Sequence, residues 1–131
     1  MMKHTLIGDV LKTWLWRWGP ALGIMAAIFT ASSFSKSEVP DFGIWDWVVK
    51  KSGHLLGYSL LGAAYLRGLA NGGRPTLRQA LFAICLAGLY GVTDEFHQSF
   101  VAGRGARPTD VLIDTLGAVI GAGAWGYGRR R

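Results

Sequence analysis

Asp94, Glu95, Gln98, Arg104, Arg107, Asp110 and Asp114 fall in one short stretch, Gly91–Asp114, between two segments that are almost wholly apolar. Ionisable groups at the mouth of apolar helices are costly to keep, so they mark a functional site by default. A second set precedes them. Lys51, His54 and Tyr58 stand at i, i+3 and i+7, a spacing that puts all three on one helix face. Lys51, Arg104 and Arg107 suit a phosphate or carboxylate, and arginine grips either one bidentately. Tyr58 and Gln98 would orient the neutral parts of such a ligand, with Asp94, Asp110 and Asp114 completing the binding set. His54 and Glu95 offer a different chemistry. They can act as a general acid/base pair, with Arg104 stabilising developing negative charge.

Three readings of this cluster stand side by side. Binding of an anionic lipid-linked or cell-wall group rests on the clustered arginines. Catalysis by His54 and Glu95 lacks a specific motif, because the chain has no serine nucleophile elbow, phosphate loop or HExxH. A structural role would pair Glu95 or Asp94 with Arg104, and Asp110 with Lys51 or Arg107. Such pairs stabilise weakly, because desolvation offsets much of their Coulomb gain. No metal and no cofactor is expected: His54, His97, Glu95 and Asp110 are ligand types, but Glu95 and His97 are two apart and diverge on a helix.

The elements that must position these groups are helices. Of 131 residues half are hydrophobic, with 19 glycines and six tryptophans, and the long charge-poor runs read as membrane spans. Residues 1–17 form an interfacial or amphipathic lead-in ending in Trp14, Trp16 and Trp18. The remainder, 18–131, is an all-α four-helix transmembrane bundle. A first span runs from about Trp18 to Phe34 with Pro20 in its first turn, and Trp45 and Trp47 form a second aromatic belt. A second span covers about Ser52–Ala70, and Asn71–Pro75 is a tight connection. Thr76 is the N-cap of a third helix from Leu77 to Thr93 that extends as far as Gln98. The glycines and proline of 101–108 make a loop, and Pro108 or Thr109 opens the fourth span, which ends near Tyr127. Cys85, the lone cysteine, reads as a buried small hydrophobe.

Charge sets the orientation. Lys3, Lys12, Arg17, Arg67, Arg74, Arg78 and Arg129–Arg131 gather at the termini and the middle turn, against Asp9 alone. By the positive-inside rule both termini are cytoplasmic, and the stretches 35–51 and 94–110 face outward. The net charge of +6 is therefore a topology signal and not a nucleic-acid footprint. Gly19/Gly23, Gly53/Gly57 and Gly117/Gly121 are small-xxx-small pairs that let helices approach, within the chain or in a homodimer. Asp110, Asp114, Gly117 and Gly121 share one helix face, which should turn inward.

The runs Lys51-x-x-His54-x-x-x-Tyr58 and Asp94-Glu95-Phe96-His97-Gln98-x-Phe100, with Gly103-Arg104 followed by Asp110 and Gly117, resemble the VanZ-like family. Phe29-x-x-Ser32-Ser33 is similar to the end of that family's first span, so the resemblance covers nearly the whole chain. It implies a four-span protein of the bacterial cytoplasmic membrane, related to a member associated with low-level teicoplanin resistance. The motif positions carried over are Lys51, His54, Tyr58, Asp94, Glu95, Gln98, Arg104 and Asp110. Asp114 stands where the family usually has Asn, and Ala102 where proline is common before Gly-Arg.

Overall fold

The computed structural model describes residues 2–131, with side chains from Leu6 onward. Four helices follow one another: α1 (Met2–Ser33), α2 (Asp46–Ala70), α3 (Leu77–Gln98) and α4 (Pro108–Arg130), with a single 3-10 turn at Gly43–Trp45 before α2. No strand occurs among the described residues. The helices run up, down, up and down, so the ends of α1 and α3 meet the starts of α2 and α4 at one end of the bundle. That end holds the polar cluster.

Glycine decides which helices touch most closely. A Cβ built on Gly121 would fall 1.7 Å from the Ser59 carbonyl oxygen, and one on Gly117 would fall 2.6 Å from that of Leu55. From the other side, a Cβ on Gly62 would fall 2.5 Å from the Ala118 carbonyl oxygen. Helices α2 and α4 therefore pack backbone against backbone, which small residues alone permit. Gly19, Gly23 and Gly53 would meet nothing within 4 Å, so those pairs take no part in this packing. The core behind the contact is made of Tyr58, Leu61, Leu66, Ala83, Ala87, Ala118 and Ala122.

Helix boundaries follow local chemistry. Thr76 caps α3 in a capping box: its hydroxyl accepts from the Gln79 N–H at 3.2 Å, and its own N–H donates to Gln79 Oε1 at 2.9 Å. Asn71, at φ 47°, ends α2 in the left-handed conformation. Pro108 opens α4, and α3 does continue to Gln98. Helix α2 begins at Asp46, earlier than the expected Ser52, because the 3-10 turn leads directly into it.

Two expectations are corrected. Pro20 is not in a first turn but well inside α1, which runs unbroken through the lead-in. An interior proline leaves the carbonyl four residues back without its N–H partner. Here that carbonyl belongs to Trp16, and the Arg67 guanidinium donates to it at 2.8 Å, which replaces the missing bond. Cys85 is exposed, not buried. Ala83 and Ala87 occupy the inward stripe of α3, and a residue two positions from each points away from it.

The outer surface is apolar. Leu56 and Leu60 on α2, Phe82 and Leu89 on α3, and Leu112 and Leu116 on α4 are all exposed. Along the start of α1, Leu6, Ile7, Val10, Leu11 and Trp14 form an exposed stripe at helical spacing opposite Asp9, Lys12 and Thr13. Among the described residues one helix, α4, is long and apolar enough to cross a membrane by length and composition. Helices α2 and α3 carry Tyr, Ser, His and Gln among their apolar residues.

Candidate functional site

The contact of α2 with α4 builds the floor of the site. Lys51, His54 and Tyr58 share one face of α2, as their spacing predicts, and meet the inward face of α4. Lys51 pairs with Asp110. One turn deeper, His54 Nδ1 lies 2.9 Å from Asp114 Oδ1, and Asp114 is fully buried. The two pairs repeat at a spacing of three or four residues on both helices, so a single register supplies both.

The end of α3 closes the floor from a second side. Asp94, Glu95 and Gln98 are all buried. Gln98 Nε2 donates to Asp94 Oδ2 and to Ser32 Oγ, each at 3.1 Å, and the Tyr58 hydroxyl donates to the same Asp94 oxygen at 3.4 Å. Glu95 turns the other way and accepts the Arg107 backbone N–H at 2.8 Å. Three of the buried carboxylates keep one oxygen without a hydrogen-bond partner among the described residues: Asp94 Oδ1, Glu95 Oε1 and Asp114 Oδ2.

Two loops form the rim. The Lys36 N–H donates to the Ala102 carbonyl at 3.1 Å, which clasps the α1–α2 connection to the α3–α4 connection. Gly103 sits at φ 74°, and a Cβ there would fall 2.8 Å from that of Lys36, so both its conformation and its space require glycine. The open cavity between them measures about 810 Å³ and reaches from Lys36, Lys50, Arg104 and Arg107 at the rim to His54, Tyr58, Asp94, Gln98 and Asp110 at the floor. Phe34, Val39, Pro40 and Trp47 form its apolar wall. On the rim, the Ser35 hydroxyl and backbone N–H both reach Glu38 Oε2 at 2.7 Å and hold that carboxyl below its usual range. The hydrogen bond from Lys50 likewise lowers the pKa of Asp46.

Against the protein families, residues 21–127 match the VanZ/LLP1 family. The chain belongs to that family. No curated protein and no solved structure matches it.

Within this VanZ/LLP1 chain the expected site residues converge on one end of the bundle, but their pairing differs in one respect. Asp110 does pair with Lys51, whereas Arg104 pairs with neither Asp94 nor Glu95 among the described residues. The turn at Gly103 carries Arg104 toward the end of α1, where its Nη2 donates to the Ala31 carbonyl at 3.4 Å. Glu95 meets Arg107 through the backbone, and the Arg107 guanidinium makes no hydrogen bond or ion pair among the described residues. His97 lies apart: it stacks on Phe29 at 4.4 Å between centroids, with Nε2 3.0 Å from Ser33 Oγ. The trio His54, Glu95 and Asp114 comes together instead, with ligand-type atoms within 4.8 Å of one another. Sequence reasoning missed Lys36 and Ser32 as site residues. Ser32 was visible in the Phe29-x-x-Ser32-Ser33 resemblance, but Lys36 reaches the rim through a clasp between loops that no local pattern announces.

Proposed function

We propose that this protein is a multi-pass protein of the bacterial cytoplasmic membrane whose cavity binds an anionic lipid-linked or cell-wall ligand, with both termini cytoplasmic and the cavity facing outward. The charge asymmetry along the chain supports the orientation. So do the aromatic and basic groups at the opposite end, where Arg17, Arg67 and Arg129 lie over Trp18, Trp16 and Trp125. The exposed apolar helix faces support burial in lipid.

One observation carries the binding reading. Lys50 and Lys51 are neutralised by Asp46 and Asp110, but Lys36, Arg104 and Arg107 line the same cavity without a carboxylate partner among the described residues. Unpaired cations around a partly apolar cavity fit a ligand with a phosphate or carboxylate head and a lipid or sugar body. The kinship to proteins associated with teicoplanin resistance fits a ligand of the peptidoglycan pathway.

The test is glycopeptide susceptibility of cells expressing wild type, Arg104→Ala, Arg107→Ala or Glu95→Gln, with membrane levels measured. Raised teicoplanin tolerance in wild type, lost in the variants at equal abundance, is the expected result. Full tolerance in both arginine variants would refute the reading, and loss of the variants from the membrane would assign the cluster to holding the helices together. A catalytic second reading draws on one geometry: Asp114 orients the His54 ring, and Glu95 lies close by. It requires His54→Ala to abolish turnover while ligand binding persists.

A further inference from the structure

We infer that His54, Glu95 and Asp114 form a binding site for one first-row divalent cation, with Zn²⁺ the best match. Each residue offers one ligand-type atom, and these atoms all lie within 4.8 Å of one another, so small side-chain adjustments would bring them onto one ion. The three side chains come from α2, α3 and α4, so the bundle itself assembles the set.

Unsatisfied charge is the second and independent observation. Glu95 is 5% exposed and Asp114 fully buried, yet Glu95 Oε1 and Asp114 Oδ2 have no hydrogen-bond donor among the described residues. Asp94 Oδ1, on the same floor, has none either. Asp94, Glu95, Asp110 and Asp114 thus bring four carboxylates to one end of the bundle. The ammonium of Lys51 answers Asp110, and among the described residues His54 is the one further basic side chain hydrogen-bonded to the group. Buried carboxylate oxygens without donors are expensive. A divalent cation resolves the imbalance with a single ion.

His54 Nδ1 and Asp114 Oδ1 already face each other at 2.9 Å, so an ion taken up between the two side chains would replace the proton of that hydrogen bond. Asp114 Oδ2 remains free on the same carboxylate. The donor set also limits which ion is suited. One imidazole and two carboxylates suit Zn²⁺, Mn²⁺ or Fe²⁺, and the general affinity order puts Zn²⁺ ahead of the other two. Mg²⁺ and Ca²⁺ prefer oxygen donors alone. Access runs through the cavity, since His54 lines it and the two carboxylates lie behind. Three protein donors leave a coordination position for water or a ligand oxygen.

The inference shares Glu95 and Asp114 with the anionic-ligand reading but not Arg104 or Arg107, so the arginine variants let the two fail separately. Full-length protein in detergent is stripped with chelator, then titrated with Zn²⁺ and, in parallel, Mg²⁺. Bound metal is measured by elemental analysis after gel filtration and by calorimetry. Wild type should retain one Zn²⁺ per chain and no Mg²⁺, and its unfolding temperature should rise with Zn²⁺. Glu95→Gln, Asp114→Asn and His54→Gln should each weaken binding by about 100-fold or more. Arg104→Ala and Arg107→Ala should bind Zn²⁺ as wild type does, whatever they do to teicoplanin tolerance.

Failure of wild type to retain Zn²⁺ overturns the inference and leaves protons as the neutralising charge. Equal retention in all three ligand variants overturns it too, by placing the ion elsewhere. Where a variant loses its helical signal, wild type alone still decides. Zn²⁺ should protect His54, read peptide by peptide in mass spectrometry, from diethyl pyrocarbonate, and unchanged His54 modification would refute the site.

Discussion

Replacing Gly121 with alanine tests the contact on which the whole site depends. The added Cβ would lie 1.7 Å from the Ser59 carbonyl oxygen and 2.5 Å from its carbon, both backbone atoms of α2. A carbonyl oxygen inside a helix cannot swing away as a long side chain would. Restoring a separation of about 3.0 Å therefore moves α4 away from α2 by roughly 1.3 Å at that level. Overpacking in a well-packed core costs about 1–3 kcal/mol, and a clash of backbone on backbone belongs at the upper end. At roughly 3–4 °C per kcal/mol for a chain of this size, Gly121→Ala should lower the unfolding temperature by about 10 °C. The assay is thermal unfolding of purified protein in detergent, with Gly23→Ala as control. That second glycine has nothing within 4 Å and sits in α1, so alanine there should be neutral or stabilising by up to about 1 kcal/mol through helix propensity. A Gly121→Ala protein that melts within 2 °C of wild type, or a Gly23→Ala protein that melts as low, would refute the argument that backbone contact between α2 and α4 sets the register of the site.

Two further outcomes follow from the same geometry. Lys51→Met removes the cation from the buried Asp110, so unfolding should become easier by roughly 3–5 kcal/mol, and the double variant Lys51→Met/Asp110→Asn should recover most of the loss in a denaturant titration. Glu38, whose carboxyl is held below its ordinary value by Ser35, contributes its part of the loop structure at pH above that ordinary value and loses it as pH falls through the lowered one. The Ser35 amide proton resonance should therefore shift on acidification at a pH below that of a free glutamate, and a shift at the ordinary glutamate pH would show that the Ser35–Glu38 clasp does not form.

Much of the site was legible in the residues because helical spacing is a strong local rule. Lys51, His54 and Tyr58 had to share a face, and so did Asp110, Asp114, Gly117 and Gly121; the structure places both faces inward and against each other. Thr76 with Gln79, and Pro108 at the head of α4, declared their helix starts through capping chemistry that acts within four residues. Pro20 misled for the opposite reason. Its local preference is for a first turn, but a guanidinium from α2 supplies the bond its ring removes, and that donor is far away in sequence. Cys85 misled because an apolar run on both sides says nothing about which face is inward when the outer surface is apolar as well.

Sequence by itself therefore determined the all-helical class, the number of helices and the faces that would meet, since each of these follows from periodicity, caps and glycine spacing. Membership of the VanZ/LLP1 family was also readable from its motifs. Tertiary structure alone decided the partners. It gave Lys51 to Asp110 and His54 to Asp114, kept Arg104 from Asp94 and Glu95, and left Arg104 and Arg107 on the cavity rim. It also set Glu95 beside His54 and Asp114 while sending His97 to Ser33 and Phe29. Pairing of this kind depends on the rotation and depth of one helix against another. Those are fixed by where Gly117 and Gly121 let two backbones touch, a distance of a few ångströms that no spacing along a single chain encodes.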